Sequence, residues 1–185
     1  MKPTRSWKNV FSGCLGYADM PANQRLRFIQ NHPLFCSLLQ RLQELEKDRI
    51  FCCHQMNHLL DVARIAYILN LERDLGFSRD LVYGAALLHD IGKSRQYEAG
   101  IPHEAAGEKL AAQILAEMPD EIAFTEEEQR QILTAIRGHR RLREDAEPLE
   151  TILYEGDKMS RACFLCPAKA QCNWSTEKKN MEILL

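Results

Sequence analysis

Along most of this chain the apolar residues return every three or four positions, and no stretch sustains the alternation of a half-buried strand. A short helix is expected from Pro21 through Gln30, and Asn31 with Pro33 marks the start of the next. From Leu34 to Lys47, Leu34, Phe35, Leu38, Leu39, Leu42 and Leu45 form one helical face, which the charged patch from Glu46 to Arg49 interrupts. Phe51 to Gly76 reads as a long helix striped by Leu59, Val62, Ile65, Ala66 and Leu69. Ser78 is the expected cap of the following helix, which carries Leu81, Val82, Ala85 and Leu88 up to His89. A loop with Gly100 and Pro102 leads to a helix from His103 to about Met118. Thr125 and Glu128 form a capping box for a helix ending at Gly138 and His139. Glu147 and Pro148 open the last, which runs through Leu149, Ile152 and Leu153 to Asp157. The pattern predicts an all-α, single-domain helical bundle without internal repeats. Residues 1–20 have no clear period; Trp7, Val10, Phe11 and Leu15 are expected to cover an edge of the core.

The chemistry sits where polar residues break the apolar stripes. In Ala85 to Lys93 an apolar run closes on His89 and Asp90, followed by Gly92 and Lys93. A buried imidazole beside a buried carboxylate demands partners, since an unpaired polar group costs roughly 2–7 kcal/mol by transfer scales. Gly92 is expected to end the helix in the left-handed conformation, leaving the pair at a cleft. His54, His58 and Asp61 fall four and three residues apart and are expected on nearly one helix face. His103, His139 and Asp157 stand at further helix ends. Imidazole with carboxylate suits Mn, Fe, Co, Ni or Zn better than Ca or Mg alone.

Composition narrows the classes. The 185 residues fit one domain, and the net charge of −2 gives no general attraction to nucleic acid or membrane. No apolar run approaches the ~20 residues of a membrane span, and no secretory signal is evident. Seven cysteines without such a signal point to a reducing compartment, the cytoplasm. Direct DNA binding is not expected, because no basic face extends beyond Arg137, Arg140, Arg141 and Arg143. Those arginines fit either a helix C-terminus favoured by the macrodipole or a grip on a phosphate-rich substrate. Lys158 and Arg161 pose the same choice.

His58 with Val62 and Ala63, the stretch from Leu87 to Lys93, and Asp157 after Tyr154 resemble the HD-domain metal-dependent phosphohydrolases. His103 and His139 stand where the two-metal subgroup, which includes symmetrical diadenosine tetraphosphate hydrolases, has its extra histidines. The resemblance implies an HD core over residues 51–162, with 1–50 as a helical extension packed on it and 163–185 as a cysteine-containing tail. It implies that His58, His89, Asp90 and Asp157 hold one metal, with Asp90 bridging to a second at His103 and His139; Mg also becomes a candidate ion. Asp90 and Lys93 are then catalytic, with Asp61 orienting a group or pairing with Arg64. Lys93, His54, Arg140 and Lys158 are the expected substrate contacts. The expected function is hydrolysis of a phosphomonoester or phosphoanhydride, a nucleotide or dinucleotide. A phosphodiesterase and a non-catalytic nucleotide-sensing module are the alternatives, and a homodimer is compatible.

Cys163, Cys166 and Cys172 form a separate signal, a CxxC followed by a third cysteine in a Pro-containing loop. Cys52 or Cys53, or a residue of a partner chain, is expected to supply the fourth ligand. Zinc, an iron–sulfur cluster, or plain burial of small apolar side chains all fit this pattern.

Overall fold

The computed structural model describes residues 24–183, and the expectations for Trp7, Val10, Phe11 and Leu15 lie outside them. Among the described residues there are eight α-helices and no strand. In chain order these are α1 (Gln24–Asn31), α2 (Pro33–Leu45), α3 (Met56–Glu72), α4 (Arg79–Leu88), α5 (Lys93–Ala99), α6 (His103–Ala116), α7 (Glu126–Gly138) and α8 (Pro148–Met159). Two short 3-10 turns, Cys163–Leu165 and Thr176–Lys178, lie in the tail.

Helix α3 is the central element, packed between α4 and α8; α7 bridges α8, α4 and α6, and α5 lies against α6 and α2. Leu59, Val62, Ala66 and Leu69 of α3 meet Val82, Ala85 and Leu88 of α4, and Ile152 and Leu153 of α8, in one core. Ile29 and Phe35 belong to the same core, so α1 and α2 share it with the later helices. The caps form as the residue types dictate. Ser78 accepts from the Leu81 N–H, and Thr125 with Glu128 completes a reciprocal capping box.

Three local expectations need correction. The long helix starts at Met56, not Phe51, and ends at Glu72, short of Gly76. At its start the chain is held extended, because the His54 N–H donates to buried Glu46 and Arg49 donates to the Cys52 carbonyl. Glu46, the first residue of the charged patch, is therefore buried. At its end, the Asn70 side chain both accepts from the Phe77 N–H and donates to the Phe77 carbonyl, replacing further helix. Secondly, a further helix, α5, to which the sequence pattern assigned no element, stands between Gly92 and the expected loop at Gly100 and Pro102.

Thirdly, Gly92 is not left-handed: its φ is −78° and it caps α5. What it provides is space. A Cβ there would collide with the His103 carbonyl oxygen and the backbone of Gly107, so the first turn of α6 lies directly on the segment after His89 and Asp90. Gly156 does the same for α8, where a Cβ would stand 3.1 Å from the Val62 carbonyl oxygen. That close crossing brings Asp157 to His58. No helix among the described residues is long and apolar enough to cross a membrane.

Candidate metal centre

Five helices deliver their polar notches to one point. His58 lies in the first turn of α3, His89 and Asp90 follow the last residue of α4, and His103 opens α6. His139 follows α7 and Asp157 stands near the end of α8. All six side chains are buried. They fall into two sets that share Asp90: His58, His89, Asp90 and Asp157, and Asp90, His103 and His139. Within each set, one donor atom per residue lies within 4.8 Å of every other.

The two oxygens of Asp90 divide between these sets. Its Oδ2 is 3.1 Å from His89 Nε2 and 3.4 Å from His58 Nε2. Its Oδ1 is 3.6 Å from both His103 Nε2 and His139 Nε2. On the far side of the first set, Asp157 Oδ1 is 3.3 Å from His58 Nε2.

Backbone and hydroxyl acceptors fix which nitrogen of each ring faces inward. His89 Nδ1 lies 2.6 Å from the Ala86 carbonyl and His139 Nδ1 2.6 Å from the Ile136 carbonyl, so each donates there and turns Nε2 as a lone pair toward Asp90. Ser160 donates its hydroxyl proton to the Asp157 carbonyl and accepts from His58 Nδ1 at 3.2 Å, with the same result.

Two of these inward-facing atoms have no hydrogen-bond partner among the described residues. His89 Nε2 and Asp90 Oδ1 are buried without a hydrogen bond among the described residues, and His103 Nε2 faces His139 Nε2 at 3.1 Å. Lone pairs converging in a water-poor interior are costly unless a cation sits among them. The buried imidazole and carboxylate donors therefore fit a divalent transition metal.

The electrostatics agree. Burial works against a charged Asp90, yet His89, His54 and Lys93 hold its carboxyl well below the usual carboxylate range. Burial likewise opposes ionisation of Asp157, which the adjacent His58 ring, Lys158 and Arg161 overcome. Burial pushes His103 down to about 2, so its ring is neutral and able to donate a lone pair. Lys93 is also lowered by burial, although Asp90 and Asp157 oppose the shift.

A cavity of about 410 Å³ opens over the cluster, and Asp90, His103, His139 and Asp157 line it. Its walls carry Lys93, Arg140, Lys158, Arg161 and Lys178, with Trp174 from the tail. Arg140 and Lys158 thus reach the cleft as expected substrate contacts would. Lys158 is also paired with Asp157 and lies over the Tyr154 and Trp174 rings. Arg161 donates to His58 Nε2 at 2.8 Å and approaches Asp157 at 3.4 Å. Arg143, in contrast, is engaged by buried Glu150 at 2.7 Å and does not line this cavity.

His54 precedes α3 rather than sharing its face. It is buried, lines the cavity, and presents Nε2 4.0 Å from Asp90 Oδ2. Burial lowers it to about 4, while its Nδ1 hydrogen-bonds Glu46. Burial favours protonated Glu46, but its bonds to His54 outweigh that and hold it below the ordinary value. Tyr97 donates to the same carboxylate at 2.8 Å. Glu46, Tyr97, Ser160 and Trp174 were not among the residues expected from sequence; only the adjacency of Glu46 to the His54 segment hinted at any of them.

Asp61 is not brought to the cluster. It is exposed, and Arg64 donates to it at 3.1 Å. Such exposed pairs contribute about 0–1 kcal/mol. Asp61→Asn is accordingly expected to leave turnover within about twofold and Tm within about 2 °C, measured by steady-state kinetics and thermal denaturation. The cysteines do not join either donor set; Cys52, Cys163, Cys166 and Cys172 line an adjoining cavity.

The chain is similar to several known proteins. The HD domain family matches residues 56–162. An uncharacterized protein of Clostridium beijerinckii is 43% identical over 159 residues, covering 86% of this chain and 98% of its own length. Ribonuclease Y of Enterococcus faecalis is 26% identical over 151 residues, 82% of this chain but only 26% of that protein. A predicted HD superfamily hydrolase from an uncultured Thermotogales bacterium shares the fold, with a TM-score of 0.55 at 21% identity over 84% of this chain and 87% of that one. The protein belongs to the HD-domain family.

Proposed function

We propose that the protein is a metal-dependent phosphohydrolase that cleaves a phosphomonoester or phosphoanhydride, a nucleotide or dinucleotide being the substrate class. The observation that carries this reading is Asp90, whose two oxygens serve two adjoining donor sets beneath a cation-lined cavity. His58, His89, Asp90 and Asp157 would hold one divalent ion, and Asp90, His103 and His139 a second. When bound, such ions neutralise phosphate charge and acidify a water to a nucleophile at neutral pH. Fe, Mn, Co, Ni, Zn and Mg are the candidates.

The chain's own residues supply the rest. Lys93, Lys158, Arg161 and Arg140 present positive charge where phosphoryl oxygens would lie. Trp174 offers a flat apolar surface on the same wall, suited to a nucleobase. His54 donates from Nδ1 to Glu46, so its Nε2 can accept a proton in the cleft; Tyr97 keeps the Glu46 carboxylate in place.

The test is a screen of nucleotide monophosphates, triphosphates and dinucleotides against chelated protein reloaded with each ion. Metal-dependent release of phosphate or nucleotide is expected; no turnover with any ion would reject the reading. A second reading, phosphodiester cleavage, draws on the likeness to ribonuclease Y. Cleavage of a cyclic nucleotide or short RNA in the same screen, without monoester turnover, would favour it. Lys93→Gln removes a buried charge-assisted contact worth about 1.5–3 kcal/mol, so inorganic phosphate should inhibit it about 10- to 150-fold more weakly than wild type.

A further inference from the structure

The tail lines a second cleft beside the His/Asp centre, and its thiols lie outside both donor sets. Cys163 and Cys166 belong to a tight 3-10 turn closed by the Cys166 N–H donating to the Cys163 carbonyl at 3.3 Å. Cys172 follows in the tail, and Cys52 comes from the extended segment before α3. All four line one cavity of about 390 Å³. The structure also separates the two neighbours that sequence left open. Cys53 turns its sulfur toward the Glu46 and Phe51 carbonyls and does not line the cavity. Cys52 does, its carbonyl anchored by Arg49 at 3.0 Å. Lys179 anchors the Cys172 carbonyl at 3.3 Å.

Four cations, Arg49, Lys93, Lys169 and Lys179, line the same walls and would offset an anionic occupant.

The spread of the thiols discriminates between occupants. One tetrahedral zinc, with Zn–S about 2.3 Å, would draw its sulfurs to about 3.8 Å from one another. Among the described residues, no three cysteine sulfurs lie within even 4.8 Å of one another. A four-iron cluster holds its thiolates much wider apart than a single ion does. We propose that Cys52, Cys163, Cys166 and Cys172 ligate an iron–sulfur cluster of the four-iron type. Ligation would staple the tail to the segment before α3. That tail carries Asn173, Trp174, Ser175 and Lys178 into the catalytic cavity, so the cluster acts as a positioning element for one wall of the substrate site.

The test uses the full chain purified without oxygen, with iron, acid-labile sulfide and visible absorption measured together. About four irons and four sulfides per chain with a band near about 400 nm are expected. A chain that emerges without sulfide should acquire both on incubation with ferrous iron and sulfide. Labile sulfide distinguishes a cluster from iron held by the His/Asp donors, and Asp90→Ala should retain it. Cys52→Ser and Cys166→Ser should lose it with the helical far-UV signal intact, while Cys53→Ser keeps it. The wild-type sulfide content decides the matter even where a serine variant fails to fold. One zinc per chain that disappears in Cys166→Ser, or no sulfide uptake on reconstitution, overturns the proposal. Neither result decides whether the His/Asp centre hydrolyses phosphoesters, which the substrate screen reads separately.

Discussion

Asp90→Ala is expected to abolish metal retention at both halves of the His/Asp centre and to lower turnover by at least about 10³-fold. That exceeds the ~10- to 100-fold typical of residues that only support a ligand. The expectation follows from geometry: Asp90 is the one side chain common to both donor sets, with Oδ2 facing His58 and His89 and Oδ1 facing His103 and His139. His103→Ala should behave differently, removing about half the bound metal, because the set containing Asp157 stays whole. Elemental analysis of dialysed protein, alongside phosphate release, separates these outcomes. Wild-type metal content in Asp90→Ala would show that the two sets are not held together by this residue.

Gly92→Ala is expected to destabilise the fold by about 3 kcal/mol, the upper end for overpacking, because the colliding atoms are backbone and cannot rotate away. For a chain of this size the thermal midpoint should fall by about 6–12 °C. In urea, the midpoint should drop with an unchanged slope. The same displacement would move the first turn of α6, so the variant should also bind the ion at the His103 and His139 side more weakly. An unchanged midpoint would mean that α6 can retreat from the segment after Asp90 without loss.

Much of this fold was legible in the sequence because its helices bury a face, and burial imposes the 3.6-residue period. The His89 and Asp90 pair stood out for a related reason: a charge at the end of a run as apolar as Ala85 to Leu88 requires a partner. Legibility failed where side chains compete with the helix for backbone bonds. Nothing in the period of residues 51–55 shows that Glu46 will take the His54 N–H and keep that segment extended. Glu46 itself looks like a surface acid until its three partners, the His54 ring, the His54 backbone and Tyr97, are seen together. Asp61 illustrates the opposite failure. Its spacing from His58 is right for a shared face, but the centre lies at the first turn of α3, and one turn on that face already meets solvent. The role of Gly92 was misjudged because its motif suggested a conformational need, whereas the constraint is a neighbouring helix distant in sequence.

The meeting of five helices on one set of donors has a consequence for how the protein survives in a cell. Lone pairs that repel one another lie at the place where those helices pack, so the folded chain and its ion should be thermodynamically linked. An ion present at about 100 times its dissociation constant adds about 2.7 kcal/mol to stability, and stripping it removes the same amount. Chelation should therefore lower the thermal midpoint by several degrees, and readdition should restore it in proportion to the logarithm of free metal. Scarcity of the ion would then lower the protein's abundance as well as its activity, since an unloaded chain spends more time open to proteolysis.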